Sequence, residues 1–110
     1  MRKPMRPLLL LFFFGTARAA SQWGLACEPA SAGATLAIPS PDAAIARAKY
    51  AWAASTYPLS TEYVAKFEPY HAELQDGEWH VYGSPEGGDG APEAFVCQKN
   101  GSTEVWHSRR

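Results

Sequence analysis

The chain of 110 residues is long enough to bury one small hydrophobic core and too short for two. Four of its ten Lys and Arg residues, but none of its eleven Asp and Glu residues, fall within the first 19 positions, so the remainder carries a formal charge of about −5. This acidic balance argues against nucleic acid as a partner and fits a basic protein better, although acidic charge also simply keeps small proteins soluble.

The first 19 residues have the three parts of a secretory signal peptide. Arg2, Lys3 and Arg6 form a basic segment, residues 8–14 form an unbroken apolar run, and residues 17–19 form a small-x-small cleavage site. The apolar run is much shorter than the ~20 residues that cross a bilayer, and no other stretch approaches that length. The sequence therefore predicts an exported protein, periplasmic or secreted, with no integral membrane segment once the signal is removed.

Two cysteines follow the signal, Cys27 and Cys97. Exported proteins with an even number of cysteines usually pair them, so one disulfide is expected. Zinc is a weaker interpretation, because neither cysteine has the C-x-x-C spacing of a tetrahedral site. Lipidation of Cys27 is another alternative, since residues 24–27 resemble a bacterial lipoprotein cleavage motif, but Leu25 lies one position too near the cysteine.

An arm is predicted between the signal and the folded domain. Residues 20–40 are rich in Ala, Ser, Gly and Pro and show neither helical nor strand periodicity. A disulfide from Cys27 to Cys97 would tie this arm to the body of the protein. The predicted organisation is therefore a signal peptide over 1–19, an arm over 20–40 and one domain over 41–110.

The domain is predicted to begin with a helix that ends near residue 55. Ser40 can cap its free amides, Pro41 suits the first helical position, and Asp42 favours the positive end of the helix dipole. The apolar face of this helix is formed, at helical spacing, by Ile45, Ala48 and Trp52. Residues 59–66 fit either one more capped helical turn or the start of a strand, and both alternatives stay open.

A hairpin with strand periodicity follows, turning at Asp76-Gly77. A two-residue turn at this point predicts the cross-strand pairs. On one face these are Leu74 with Trp79 and Ala72 with Val81, and on the other Glu73 with His80 and His71 with Tyr82.

A second hairpin is predicted near the end of the chain. Strands over 94–98 and 102–107 flank Asn100-Gly101, the strongest short hairpin signal in the chain. With a two-residue turn, the pairs would be Val96 with Val105 and Phe95 with Trp106. Between the hairpins, residues 83–91 contain four glycines and are expected to form an exposed connection.

These elements predict an α+β fold in which one N-terminal helix packs on a four-stranded antiparallel meander sheet. The core between helix and sheet is predicted to contain Trp52, Tyr70, Trp79, Val81, Val96 and Val105. The opposite face of the sheet is predicted to bind a partner, through Tyr82, His80, Phe95 and Trp106 together with the loop residues Glu86 and Asp89. Burial of this face under the arm is the alternative.

Several segments together resemble bacterial immunity proteins of polymorphic toxin systems. They are AIARA at 44–48, PYHAEL at 69–74, GEWHVYG at 77–83, the glycine pair at 87–88, and NG at 100–101 with Val105. The similar branch of that family has a short nuclear-transport-factor-2-like, or cystatin-like, fold. The resemblance spans residues 42–108 and departs from the family at 89–91, which separate the double glycine from the third strand. It implies direct binding to a toxin in the cell envelope and supplies no catalytic residue.

Two other functions are weighed against this one. The first is an envelope inhibitor or accessory module that acts on a hydrolase such as a lysozyme or protease. The second is a small exported enzyme, for which Glu73 with His80 is the one pair that resembles a general-base dyad, without a nucleophile in register. His71, His80 and His107 lack ligand spacing, so neither a metal nor another cofactor is expected. The sequence predicts a binding protein and not an enzyme.

Overall fold

The structure, a computed structural model, describes residues 25–84 and 90–107. The predicted signal peptide, the first residues of the arm, and the loop residues Glu86 and Asp89 lie outside the described residues. Within the described ranges, no helix has the length and apolar character needed to cross a membrane.

The first helix begins where the sequence places its cap. Helix α1 spans Pro41–Ala54, and Ser40 Oγ accepts a hydrogen bond from the backbone N–H of Ala43 at 3.1 Å. Ile45 is half-buried against the core, and the buried residues of α1 are Ala44, Ala48 and Trp52. The predicted helix and its apolar face are confirmed.

The segment that the sequence left undecided forms a short helix, α2, over Thr61–Ala65. Ser60 Oγ accepts a hydrogen bond from the backbone N–H of Tyr63 at 3.0 Å, the same capping contact as at α1. Tyr70 donates its hydroxyl to the carbonyl of Val64 at 2.7 Å, and burial raises the pKa of Tyr70, so this hydroxyl stays a donor. The contact fixes α2 at the entry to the sheet.

Four strands form one antiparallel sheet in which each strand pairs with its neighbours along the chain. They are β1 (His71–Gln75), β2 (Glu78–Tyr82), β3 (Pro92–Cys97) and β4 (Thr103–His107). Helix α1 contacts all four strands. The predicted α+β architecture, a helix on a four-stranded antiparallel meander, is confirmed; the likeness to a nuclear-transport-factor-2-like fold stays a prediction.

The β1–β2 hairpin has the predicted register. Leu74 lies opposite Trp79, and Glu73 lies opposite His80. Asp76 and Gly77 both have positive φ, 53° and 79°, as a type I′ turn requires. The chemistry of two adjacent residues therefore determines this pairing.

The β3–β4 hairpin differs by two residues from the predicted register, and the predicted pairing was wrong. Val96 lies opposite Thr103 instead of Val105, and Phe95 lies opposite Glu104 instead of Trp106. Because side chains alternate with a period of two, a shift of two residues keeps every side chain on its predicted face. The error changes the cross-strand neighbours but not the composition of either face.

The cause of the shift is a longer turn between β3 and β4. The N–H of Cys97 donates to the carbonyl of Ser102 at 2.8 Å, so four residues, 98–101, form the loop. Gly101 has a φ of 81°, but among the described non-glycine residues only Asp76 has a positive φ, so Asn100 does not adopt the conformation that a type I′ turn needs. The arm also pairs with this loop, through the N–H groups of Ala37 and Ile38 and the carbonyls of Lys99 and Gln98.

The core lies between α1 and the inner face of the sheet, the face turned toward α1. Trp52 Nε1 donates to the carbonyl of Glu93 at 3.0 Å, and Trp79 Nε1 donates to the carbonyl of Ile38 at 2.9 Å, so both buried indoles have a partner. Half-buried Val105 packs against the buried core cluster, which is Ile38, Ala44, Ala48, Trp52, Val64, Tyr70, Trp79, Val81, Ala94 and Val96. The predicted core residues are confirmed.

The described part of the arm is fixed to one end of the sheet. Cys27 and Cys97 form the predicted disulfide, with their Cα atoms 5.4 Å apart. Lys99 Nζ lies 2.9 Å from Glu28 Oε1, and this contact lowers the pKa of the exposed Glu28 carboxyl.

Replacing Cys27 and Cys97 by alanine is expected to lower the free energy of unfolding by about 4 kcal/mol, because the bond joins residues 70 positions apart and restricts the unfolded chain. Urea denaturation of the oxidised protein and of the double variant measures the difference. Reduced wild-type protein is the control and should match the variant. A loss below about 1 kcal/mol in both would contradict the expectation.

Two glycines test whether the arm packs on the first hairpin. Gly77 and Gly33 have φ values of 79° and 81°, so alanine is strained at both. At Gly77 a Cβ would also lie 2.9 Å from the carbonyl oxygen of Glu28 and 3.0 Å from Pro29 Cα, whereas at Gly33 nothing lies within 4 Å. We expect Gly77→Ala to lower the free energy of unfolding by at least about 1 kcal/mol more than Gly33→Ala. Equal losses in thermal denaturation would show that this packing is absent.

Candidate functional site

The sheet has a second face, the outer face, which points away from α1. Side chains of each strand alternate between the two faces, and the observed pairing shows which residues share this one. The outer face consists of His71, Glu73, Gln75, Glu78, His80, Tyr82, Glu93, Phe95, Cys97, Glu104 and Trp106. All four aromatic residues predicted to bind a partner therefore belong to one face of the sheet.

Charge is divided unevenly between the two sides of the molecule. Three accessible outer-face residues are glutamates, Glu73, Glu93 and Glu104, whereas a fourth, Glu78, is buried, and the four strands contain no Lys or Arg. The cations Arg47 and Lys49 lie on α1, on the inner side of the sheet, where Arg47 donates to the carbonyl of Gly101 at 3.2 Å and Lys49 pairs with Glu68 at 2.6 Å. The outer face is therefore acidic and complementary to a positively charged surface.

Four rings form a continuous row across β1, β2 and β3, called here the aromatic row. The ring centroids of His71 and Tyr82 are 5.5 Å apart, and those of Tyr82 and His80 are 5.0 Å apart. His80 then stacks on Phe95 at 5.0 Å with 15° between the ring planes. These separations are those of favourable ring contacts, so the row is a firm surface rather than a set of independent side chains.

Two glutamates hold the aromatic row in place. Tyr82 donates its hydroxyl to Glu73 Oε2 at 2.6 Å, and His80 Nε2 lies 3.2 Å from Glu93 Oε2. Each contact joins diagonal rather than directly opposite neighbours, which long side chains can reach. The predicted backbone pairing of Glu73 with His80 is present, but the carboxylate beside His80 belongs to Glu93.

The predicted binding residues differ in their exposure. Trp106 is 54% exposed and Tyr82 is half-buried, whereas His80 and Phe95 retain only 8% and 6% of their surface. Cys97 is also buried, at the end of the face where the arm is attached. Of the predicted residues that the structure describes, Trp106 is the best placed to meet a partner.

Sequence analysis missed four members of this face, Gln75, Glu78, Glu93 and Glu104, and the last two lie beside Trp106. Glu93 lies directly opposite Trp106, and Glu104 precedes Trp106 by two residues on the same strand. Strand alternation was sufficient to place both on the outer face. The place of Glu93 directly opposite Trp106 was hidden because the predicted register of the second hairpin set Trp106 opposite Phe95.

Across 25–84 and 90–107, no three His, Cys, Asp or Glu side chains come together in an arrangement that could hold a metal ion. His71 Nε2 lies 3.2 Å from Ser84 Oγ, and His80 contacts Glu93. What the described part of the face offers to a partner is ring surface and carboxylates.

A concavity lies between α1 and α2. It has a volume of about 140 Å³ and is lined by Lys49, Ala53, Leu59, Thr61, Val64, Ala65 and Glu68. Its two charged residues, Lys49 and Glu68, already pair with each other at 2.6 Å. The outer face combines more exposed aromatic surface with more charge, so it is the stronger candidate for a functional site.

Comparison of the chain with protein-family models, with curated proteins and with solved structures gave no match.

The charge around Trp106 can be measured with ionic quenchers. In a Trp23→Phe background, caesium is expected to quench the emission of Trp106 more strongly than iodide, relative to a free tryptophan amide, because Glu93 and Glu104 attract cations. Trp52 and Trp79 are only 0% and 5% exposed and should respond weakly. Trp106→Phe in the same background should remove the preference for caesium. Stronger quenching by iodide would contradict the acidic character of this surface.

Proposed function

We propose that this protein is an exported binding protein of the immunity type, which neutralises a toxin in the cell envelope by direct contact through the outer face. The observation that carries the proposal is the outer face itself. It combines a partly buried row of rings, an exposed indole at Trp106 and three accessible glutamates, Glu73, Glu93 and Glu104, on the side of the sheet that α1 does not cover. The resemblance of residues 42–108 to immunity proteins points to the same function.

Export is supported by two separate features. The first 19 residues have the pattern of a signal peptide. The disulfide between Cys27 and Cys97 is of the kind that persists in oxidising compartments such as the periplasm and the extracellular space. A toxin that reaches the envelope would meet the protein in the same compartment.

Binding by contact is supported by the composition of the outer face. Trp and Tyr side chains dominate the binding energy of protein interfaces when a partner buries them. Carboxylates around such residues accelerate association with a basic partner and exclude acidic ones. The outer face has both kinds of residue, and together they fit a basic toxin as the partner.

A related proposal is that the outer face inhibits an envelope hydrolase, such as a lysozyme or protease. The same contacts would serve both functions, so the identity of the partner separates them. A toxin encoded beside this gene would favour the immunity function, and a hydrolase recovered in complex with the protein would favour the inhibitor.

Deleting the gene is expected to make cells sensitive to a toxin encoded beside it. The wild-type gene should restore survival, and Trp106→Ala should weaken toxin binding at least about 30-fold, since loss of an interface anchor costs 2 kcal/mol or more. Tyr50→Ala is the matched control, because Tyr50 is 68% exposed but lies on α1. Survival assays and titration calorimetry are the measurements. Unchanged survival of the deletion strain would contradict the proposal that this protein confers immunity.

A further inference from the structure

We propose that the partner presents an arginine to the outer face, and that its guanidinium stacks on Trp106 between the carboxylates of Glu93 and Glu104. The inference rests on the proposed function and deepens it, because it names the region of the outer face that is bound and the chemical group that binds it.

The geometry around Trp106 points to this arrangement. Trp106 is the directly opposite neighbour of Glu93, and Glu104 precedes it by two residues on the same face of β4. Directly opposite side chains in a sheet have Cβ atoms about 5 Å apart, and same-face neighbours along a strand are about 7 Å apart. An indole that is 54% exposed therefore has one glutamate opposite it on β3 and another two residues away on its own strand, both close enough in register for one bound cation to contact.

The carboxylate of Glu93 is already positioned in the protein. His80 Nε2 lies 3.2 Å from Glu93 Oε2, and His80 is itself stacked on buried Phe95. Because a carboxylate has about four acceptor positions, the contact with His80 leaves capacity for a further donor. The side chain of Glu93 is 35% exposed, so a partner can reach it.

Arginine fits this site better than other cationic groups. A guanidinium is planar, it stacks on aromatic faces, and its fork of N–H donors matches carboxylates. A lysine ammonium is more strongly hydrated and does not stack. An anionic membrane surface would be repelled by the glutamates of this face.

Charge also decides against a symmetric second copy of this chain. Two outer faces in contact would oppose glutamates to glutamates without any Lys or Arg in the strands to compensate. Two arginines of this chain, Arg109 and Arg110, follow β4 in the sequence. They are therefore a competing occupant of the site.

The test titrates the purified oxidised protein with capped tetra-arginine, tetra-lysine and tetra-glutamate peptides and follows the indole N–H resonances by NMR. The Trp106 signal is assigned from Trp106→Phe. We expect tetra-arginine to move this signal saturably and to bind about threefold more tightly than tetra-lysine, with no effect of tetra-glutamate. Glu93→Gln and Glu104→Gln should each weaken tetra-arginine binding about threefold.

Glu62→Gln is the matched control, since Glu62 is exposed on α2 and should leave the binding unchanged. Equal affinities for tetra-arginine and tetra-lysine, or no response to both outer-face glutamine variants, would overturn the inference. It would also be overturned if the double variant Arg109→Ala, Arg110→Ala moved the Trp106 signal and tightened peptide binding, because the chain's own tail would then occupy the site. A Trp106 signal that moves with protein concentration alone would indicate a second copy and overturn it too.

The inference and the proposed function fail in different ways. If a toxin is identified whose binding requires Trp106 but is indifferent to Glu93→Gln and Glu104→Gln, the arginine site is wrong and the function stands. If the peptide titration gives the expected result and the deletion strain survives every toxin encoded beside the gene, the site stands and the immunity function is wrong.

Discussion

The disulfide between Cys27 and Cys97 is the constraint on which the rest of the structure depends. Two helices and four short strands bury a small core, and the arm completes it with Ile38, whose carbonyl accepts a hydrogen bond from the indole of Trp79. The bond holds the beginning of the arm against β3, while the pairing of residues 37–38 with 98–99 holds its end. A segment without helix or strand thereby becomes part of the domain.

One helix can cover only one face of a sheet, and this determines the character of the other. Helix α1 takes the inner face together with the cations Arg47 and Lys49. The glutamates and rings of the strands lie on the outer face. The rings are held in place by stacking, by the hydrogen bond from Tyr82 to Glu73 and by the contact of His80 with Glu93. The separation of charge thus follows from the same alternation that builds the core.

The sequence was sufficient to predict the fold because its main signals are local. Asp76 and Gly77 determine their turn by themselves, and Ser40 with Pro41 determines the start of α1. The turn at Asn100-Gly101 could not be predicted in this way, because its loop also pairs with the arm, some 60 residues earlier in the chain. The partners of the outer-face side chains were missed for a different reason. Glu93 reaches His80 diagonally from β3 to β2, and this contact depends on the register of β2 with β3. The connection over 83–91 contains four glycines and has no short turn signal from which that register could be predicted.

The position of Cys97 also determines when, during synthesis of the chain, the disulfide can form. Ribosomes make the arm early, yet its covalent anchor lies 70 residues further along, in the third strand. The link can close only after the chain has been synthesised as far as Cys97 and has met an oxidant. The earliest part of the domain to be made is therefore among the last to be secured.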